Sequence, residues 1–403
     1  MSNETKESKF NSERKQTVRT PLYKQIRDYV LDNIQQMNWQ PNEKIPSENE
    51  LAAKFNVSRI TIKNALLQLI EEGLIYRIQG KGTFISANKQ GEPPVYRLLQ
   101  QHDKTVAYLM PRLDNRFTAN LLNGIENQLA EEGYHLLFCE THDSQEKENE
   151  ILKRMIRFGV AGLIIYPAHS QTYNEEILKI TLNEFPVVVV DRYLRGVETN
   201  YVCSDNVKGS FDATAHLIQS GHRRIGFVST HAHGTTSIED RLTGYEKALS
   251  EHNILIDRHL RMLNLDSKQV NTILQNGAGH PDSKEQIKHY LEQNSDLTAV
   301  IAVNSTVGLT LMEAAKEMPI SIPEDLSIVF LDDYELSAFS TVPPTCVSLE
   351  EYTVGREAVK LLVSIIENPQ QKRRKIIVPT RLTVRNSSAP PGAGKQIAAT
   401  LLN

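Results

Sequence analysis

The sequence predicts an α/β protein in two parts: a small helical head with a two-stranded hairpin, and a larger body of parallel sheets flanked by helices. Three observations carry this. Residues 47–86 encode two short amphipathic helices with a turn between them, followed by a hairpin. From Thr105 to Arg385, short apolar runs alternate with helical patterns. Between the two, residues 87–104 hold Gly91 and Pro93-Pro94 with no steady period, as expected of a linker.

In chain order, residues 1–19 are charged and polar and are expected to be disordered. The head is expected over 20–86. Thr20-Pro21 is a helix start with proline in the first turn. Leu22, Ile26, Val30 and Ile34 then recur every four residues, one face of a helix ending near Met37. Ser47 and Glu50 form an S-x-x-E capping box, and Leu51 and Phe55 give the next helix its apolar face. Asn56 suits a left-handed turn position, and Ser58 can cap a further helix. That helix turns Ile62, Leu66, Leu69 and Ile70 inward and can end at Gly73. Two short helices with a tight turn read as a helix-turn-helix, whose second helix enters the DNA major groove with its first residues against the bases. Those residues are Ser58, Arg59, Thr61 and Lys63, all off the apolar face. Leu74–Ile78 and Thr83–Ser86 are strand-like, and Gln79-Gly80-Lys81-Gly82 makes a basic, glycine-rich tip.

The head closely resembles the winged helix-turn-helix of the GntR family of bacterial transcription regulators. The matching pieces are Lys44-Ile45-Pro46-Ser47-Glu48, Val57-Ser58-Arg59, Thr61-Ile62-Lys63 and Gly80-Lys81-Gly82-Thr83-Phe84. The resemblance implies double-stranded operator DNA as partner, held by Lys24, Ser47, Glu48, Ser58, Arg59, Thr61, Lys63, Gln79, Gly80, Lys81, Gly82 and Thr83. Lys63 stands where the family usually has arginine; lysine keeps a phosphate contact but lacks the planar fork suited to guanine.

Charge agrees. The whole chain carries -4, yet residues 1–90 hold 14 Lys and Arg against 10 Asp and Glu. A basic end on an acidic body fits DNA binding at one end only. Cys139, Cys203 and Cys346 are far apart and follow no metal spacing, as expected of buried thiols in a reducing compartment. No apolar run approaches the ~20 residues that span a bilayer, and the polar first twenty residues are no signal peptide. These features predict a cytoplasmic protein with no membrane partner.

In the body, Val106–Met110, His135–Cys139, Gly162–Tyr166, Val187–Val190, Ile225–Val228, Leu297–Val303 and Ile328–Leu331 read as buried strands. Helical patterns fall between them, including Val207–Ser220 and Val354–Ile366. The alternation is too long for one sheet, which predicts two α/β subdomains. The small-residue-rich tail, 387–403, is expected to be unstructured.

The body resembles the sugar-sensing domain of LacI/GalR-type repressors, a two-lobed fold of the type I periplasmic-binding-protein kind. The resemblance spans 105–386. It rests on Asn115-Arg116-Phe117, Asp191-Arg192, Asp205-Asn206, His216-Leu217-Ile218 with Gly221-His222, Arg241-Leu242-Thr243-Gly244-Tyr245, Asn304, Pro323-Glu324-Asp325-Leu326-Ser327 and Leu331-Asp332-Asp333. It implies one lobe over 105–202 and 349–375 and a second over 203–347 and 378–386, with crossings near Val202, Val347 and Ile377. A GntR head on such a body is the layout of arabinose-repressor-like regulators. A homodimer is expected, because two heads are needed to read two half-sites.

A sugar needs carboxylates and amides for its hydroxyls, an arginine fork and an aromatic ring beneath it. In open α/β sheets ligands gather beyond the carboxyl ends of the strands. Asp191, Asn304 and Asp332 each follow a strand there, and Asn115 and Phe117 lie in the loop after the first strand. By resemblance, Arg241 opens a helix and points into the cleft. Leu349 replaces a glutamine common in related sensors, which blurs the sugar's identity.

Enzyme motifs are missing: no G-x-x-x-x-G-K-[ST] loop, no G-x-G-x-x-G after a strand, no G-x-S-x-G elbow. No lysine context suggests pyridoxal phosphate, so no cofactor is expected. His231-Ala232-His233 has no evident third ligand and reads as a solvent loop. The expected function is a repressor, not an enzyme, released from its operator by a small sugar effector such as L-arabinose. The alternatives are a hexose or nucleoside sensor, an activator, or an α/β enzyme fused to a DNA-binding head.

Overall fold

The computed structural model describes all residues except 1–21, 37, 41, 72–74, 79–81, 86–103, 169–173, 232–233 and 393–403. The expectations for the N-terminus, the end of the second helix-turn-helix helix at Gly73, the hairpin tip and the linker lie outside the described residues. The chain forms two compact units, residues 1–101 and 102–403.

In the first unit, α1 (Leu22–Gln35) is followed by α2 (Glu48–Phe55) and α3 (Arg59–Glu71), then β1 (Ile75–Ile78) and β2 (Gly82–Ile85). The capping box forms as written: Ser47 Oγ accepts from the Glu50 amide at 3.3 Å, and the Ser47 amide donates to Glu50 Oε2 at 2.6 Å. Asn56 ends α2 at φ 55°, the left-handed turn that sets α3 against it. β1 and β2 pair antiparallel from Ile75–Ile85 to Ile78–Gly82. The outer edge of β2 is covered by residues 43–45 through Ile85 N to Glu43 O and Ile45 N to Thr83 O. Ile26, Val30, Leu51, Ile62, Leu69 and Ile75 are fully or nearly fully buried together. Burying each such side chain is worth about 1.5–3 kcal/mol, so this small core depends on every one.

The second unit holds two six-stranded sheets. The first has the order β4-β3-β5-β6-β7-β13, all parallel, with β3 (Thr105–Met110), β4 (His135–Glu140), β5 (Gly162–Ile165), β6 (Val187–Val190), β7 (Tyr201–Ser204) and β13 (Lys375–Val378). Alternate residues of β3 enter different cores. Val106, Tyr108 and Met110 pack with α4 (Arg116–Glu131) and α12 (Glu351–Glu367). Ala107 and Leu109 pack with α5 (Gln145–Phe158) and α6 (Glu175–Leu182). A strand buried on both faces must be apolar throughout, which explains the unbroken run. α4 and α12 cross at Gly124 and Gly355; a Cβ on Gly124 would lie 2.2 Å from the Tyr352 carbonyl oxygen.

The second sheet has the order β9-β8-β10-β11-β12-β14, with β8 (Ile225–Thr230), β9 (Arg261–Leu265), β10 (Ala299–Ala302), β11 (Ser327–Phe330) and β12 (Thr345–Ser348) parallel. β14 (Arg381–Thr383) closes the edge antiparallel. Around it stand α7 (Asn206–Gln219), α8 (Thr236–Glu251), α9 (Ser267–Asn276), α10 (Pro281–Gln293) and α11 (Ser305–Glu317). The chain passes between the sheets after β7, β12 and β13, close to the three expected crossings. The lobe limits shift slightly: Cys203, Ser204 and Val378 belong to strands of the first sheet. β9 escapes the sequence pattern because it is a half-exposed edge strand with Arg261 and Asn264 among its apolar residues.

The tail does not begin at 387. Ser387 is fully buried; its Oγ accepts from the Thr345 amide at 2.8 Å, and its own amide donates to the Pro343 carbonyl at 3.1 Å. His222 hydrogen-bonds the Ala389 carbonyl at 2.8 Å and Thr298 Oγ1 at 2.9 Å. This strap of small residues is ordered by hydrogen bonds that join Ser387 and Ala389 to Ser327 and Ile328, the first two residues of β11.

Candidate functional site

Between the two sheets of the second unit lies a cavity of about 370 Å³. All six candidate effector residues line it: Asn115, Phe117 and Asp191 from the first lobe, Arg241, Asn304 and Asp332 from the second. Beyond strand ends the backbone turns and its polar groups need partners, so side-chain caps and ligand groups collect there.

Asn115 and Phe117 do not sit in a free loop. Asn115 is the N-cap of α4, accepting from Thr118 N at 3.0 Å and donating to Asp114 at 2.9 Å. Phe117, in the first turn, packs against the cores of both lobes and meets Tyr166 edge-on at 6.0 Å. Arg241 does not open its helix; it follows five residues of α8 and is 7% exposed. Its Nε donates to Asn206 Oδ1 at 2.8 Å and its Nη1 to the Val303 carbonyl at 2.7 Å, which fixes the guanidinium plane. Asn304 caps α11 through Val307 N at 3.0 Å. Asp332 accepts from the next amide of that helix start, Ser305 N. Burial pushes the Asp332 carboxyl up to about 7, against the pull of Arg241 and the Ser305 hydrogen bond. Asp191 sits at φ 63° just past β6, 4% exposed, and accepts from Ser237 Oγ of the other lobe at 3.4 Å.

Sequence reasoning missed Arg192 and Tyr166 as lining residues. The Arg192 guanidinium lies 4.9 Å over the Tyr166 ring and donates to the Pro167 carbonyl at 2.9 Å. Its Nε is buried without a hydrogen bond, 3.8 Å from Asp191 Oδ2. Desolvation favours the neutral Tyr166 phenol and raises its pKa strongly. The signal was present, since both residues end or follow apolar strands as Asp191 does. Leu349 is 2% exposed and lines the cavity with no polar side-chain atom. The arrangement offers carboxylates, a guanidinium fork and aromatic rings around a space of small-ligand size.

The lobes touch beside the cavity. Tyr193 Oη donates to Asp240 at 3.0 Å, and Thr236 Oγ1 accepts from Tyr193 N at 3.0 Å. Arg116 of the first lobe pairs with Asp333 of the second at 2.9 Å, and Arg385 joins the same carboxylate at 3.2 Å. Burial raises Asp333, but its bonds to Arg385 and Ser337 and the nearby Arg116 outweigh this and hold it at about 2.

In the first unit the leading residues of α3 face outward. Ser58, Arg59 and Lys63 are exposed, and Ser58 Oγ lies 2.8 Å from Thr61 Oγ1. Glu48, itself a DNA-contact candidate, is committed: it holds Arg59 Nε at 2.9 Å and Arg77 Nη1 at 2.9 Å. The Arg59 hydrogen bond is the main reason its carboxyl titrates below the ordinary range. Arg77, on β1, was not singled out from sequence. Ser47 is occupied as the α2 cap, and Gly82 and Thr83 open β2. The Lys24 side chain and residues Gln79, Gly80 and Lys81 lie outside what the structure describes. Among the described residues no group of three or more His, Cys, Asp or Glu could hold a metal, and Ala232 and His233 are not described. Among the described residues no helix is long and apolar enough to cross a membrane.

Comparison with known proteins agrees with this geometry. Residues 22–85 match the family model of the bacterial regulatory proteins, gntR family, and residues 214–388 match a periplasmic binding protein-like domain. The arabinose metabolism transcriptional repressor of Geobacillus stearothermophilus is 32% identical over 377 residues, 91% of this chain and 98% of that protein. The protein of the same name from Halalkalibacterium halodurans is 29% identical over 383 residues, 93% of this chain and 97% of its own. Among solved structures, a LacI family regulator from Enterococcus faecium with bound ribose is 25% identical, with a TM-score of 0.59 over 71% of this chain and 99% of that one. The transcription regulator CcpA of Lactococcus lactis shares the fold at 20% identity, with a TM-score of 0.61 over 71% of this chain and 99% of that one. The chain belongs to the family of transcriptional repressors that join a GntR-type winged helix-turn-helix to a LacI-type, periplasmic-binding-protein-like sugar-binding domain.

Proposed function

We propose that this repressor binds its operator as a homodimer and is released by a small sugar, with L-arabinose the first candidate. The observation that carries the reading is the cleft: two lobes contribute Asp191, Arg241 and Asp332 to one cavity with Phe117 and Tyr166 at its wall. Carboxylates accept from hydroxyls, the arginine fork donates to them, and a ring covers the C–H face. The near full-length likeness to two repressors named for arabinose metabolism favours a pentose. A second pentose, ribose, is favoured by the Enterococcus faecium regulator with bound ribose. Leu349 offers no hydrogen bond, so the two sugars would be told apart by the remaining polar groups.

A ligand shifts a two-state equilibrium only by its differential affinity for the two arrangements. A sugar bridging Asp191 on one lobe to Arg241 and Asp332 on the other favours the lobes drawn together. That movement would separate the two heads from their half-sites. At the DNA, Arg59 reads base edges, with Ser58, Thr61 and Lys63 beside it and Lys81 on phosphate. Glu48 aims Arg59 before contact.

The test is operator binding under increasing L-arabinose. Wild type should dissociate. Asp191→Ala and Arg241→Ala should bind the operator and stay bound, since each loses a charge-assisted bond worth about 1.5–3 kcal/mol. Release of either variant at the wild-type sugar concentration would put the effector elsewhere.

A further inference from the structure

We infer that the cleft has a second, outer subsite, walled by α9, for another polyhydroxylated ring joined to the first sugar. This deepens the sugar-binding reading and rests on it. The inner residues leave part of the cavity unexplained. A pentose displaces on the order of five waters, or about 150 Å³ at ~30 Å³ each. The cavity measures about 370 Å³. Beside this cavity, Tyr193–Asp240 and Arg116–Asp333 join the lobes.

The remaining wall is built from α9. Val270 and Ile273 anchor that helix in the core. Ser267, Asn271 and Gln275, spaced four apart, form a stripe along the cavity with Lys268 beside it. Arg112 lines the cavity from the other lobe. Among the described residues, the side chains of Lys268, Asn271 and Gln275 make no hydrogen bond or ion pair, whereas the α9 cap, Asp266, is fully engaged with the Lys268 and Gln269 amides. Lys268 and Gln275 are exposed and Ser267 and Asn271 half-buried, and all four line the same cavity as buried Asp191 and Arg241.

The chemistry of this wall selects its ligand. Arg112 and Lys268 are balanced by Asp114 and Asp143, which line the same cavity. Balanced charge gives a phosphate no net attraction. Two free amides, each with a donor and an acceptor, match the vicinal hydroxyls of a neutral sugar ring. The ligand class is therefore a disaccharide whose inner unit is a pentose.

Calorimetry with the full chain tests this, using L-arabinose, arabinobiose and an arabinose phosphate as probes. Arabinobiose should bind wild type about tenfold more tightly than L-arabinose. The double variant Asn271→Ala, Gln275→Ala should lose that advantage while its L-arabinose affinity and melting temperature stay at wild-type values. Equal affinity for the two sugars, or an advantage that survives the double variant, overturns the outer subsite and leaves the inner one standing. A gain for the phosphate alone, lost in Lys268→Ala, overturns the neutral-ring assignment. Binding of neither sugar overturns both the inner and outer readings.

Discussion

Asp332 couples the proposed sugar site to pH. Burial raises its carboxyl to about 7, so near neutrality this side chain is a mixture of acid and carboxylate. Arg241 opposes the shift, and Glu351 adds to it by repulsion. A hydroxyl donates well to the carboxylate, whereas the acid presents a competing proton. With a pKa near 7, about nine-tenths of Asp332 is ionised at about pH 8 and about a tenth at about pH 6. If the sugar takes only the ionised form, its Kd should weaken by roughly tenfold between these two pH values. Calorimetry across that range, in buffers of different ionisation enthalpy, should also register proton release on binding near pH 7. Asp332→Asn should bind more weakly at high pH and lose the pH slope. The same shift acts on folding. Between the ordinary 3.8 and about 7 the folded chain keeps a proton that the unfolded chain has lost, so the stability of the sugar-free protein falls as pH rises through that window. A wild-type Kd that is flat from about pH 6 to pH 8, or an Asp332→Asn variant with the wild-type slope, would refute the assignment.

Arg59→Ala should abolish preference for the operator over random DNA, a loss of ~1–3 kcal/mol of discrimination, with sugar affinity unchanged; competitive gel shifts measure it. Lys81→Ala should instead weaken binding to all sequences and reduce the dependence on salt, read from affinities at several salt concentrations. Gly244→Ala would put a Cβ 2.2 Å from the Val207 carbonyl oxygen and force α7 and α8 apart. That should cost ~1–3 kcal/mol and lower the melting temperature without altering DNA contacts. Limited proteolysis should cut first between Ala87 and Asp103 and leave a sugar-binding fragment beginning near Thr105, as mass spectrometry would identify.

The sequence by itself determined the periods and the caps. A capping box, a left-handed asparagine and an inward stripe are local, so Ser47–Glu50, Asn56 and Ile62–Leu69 could be read before any fold was in hand. Continuous apolar runs likewise announced β3, β6 and β10, because a strand covered on both faces has no room for a polar residue. Strand-end position then picked out Asp191, Asn304 and Asp332. Only the tertiary structure decided what those residues face. Arg192 over Tyr166, the pairing of Arg116 with Asp333, and the stripe of α9 along the cavity each join segments remote in sequence, and no local period encodes such a meeting. Edge strand β9 and the strap at Ser387 were hidden for a related reason. Their order comes from neighbours that cover one face and from hydrogen bonds to Thr345 and Pro343, not from a pattern of their own. Glu48 shows the same limit: its charge was visible in the sequence, but its grip on both Arg59 and Arg77 exists only once β1 folds back beside α2 and α3.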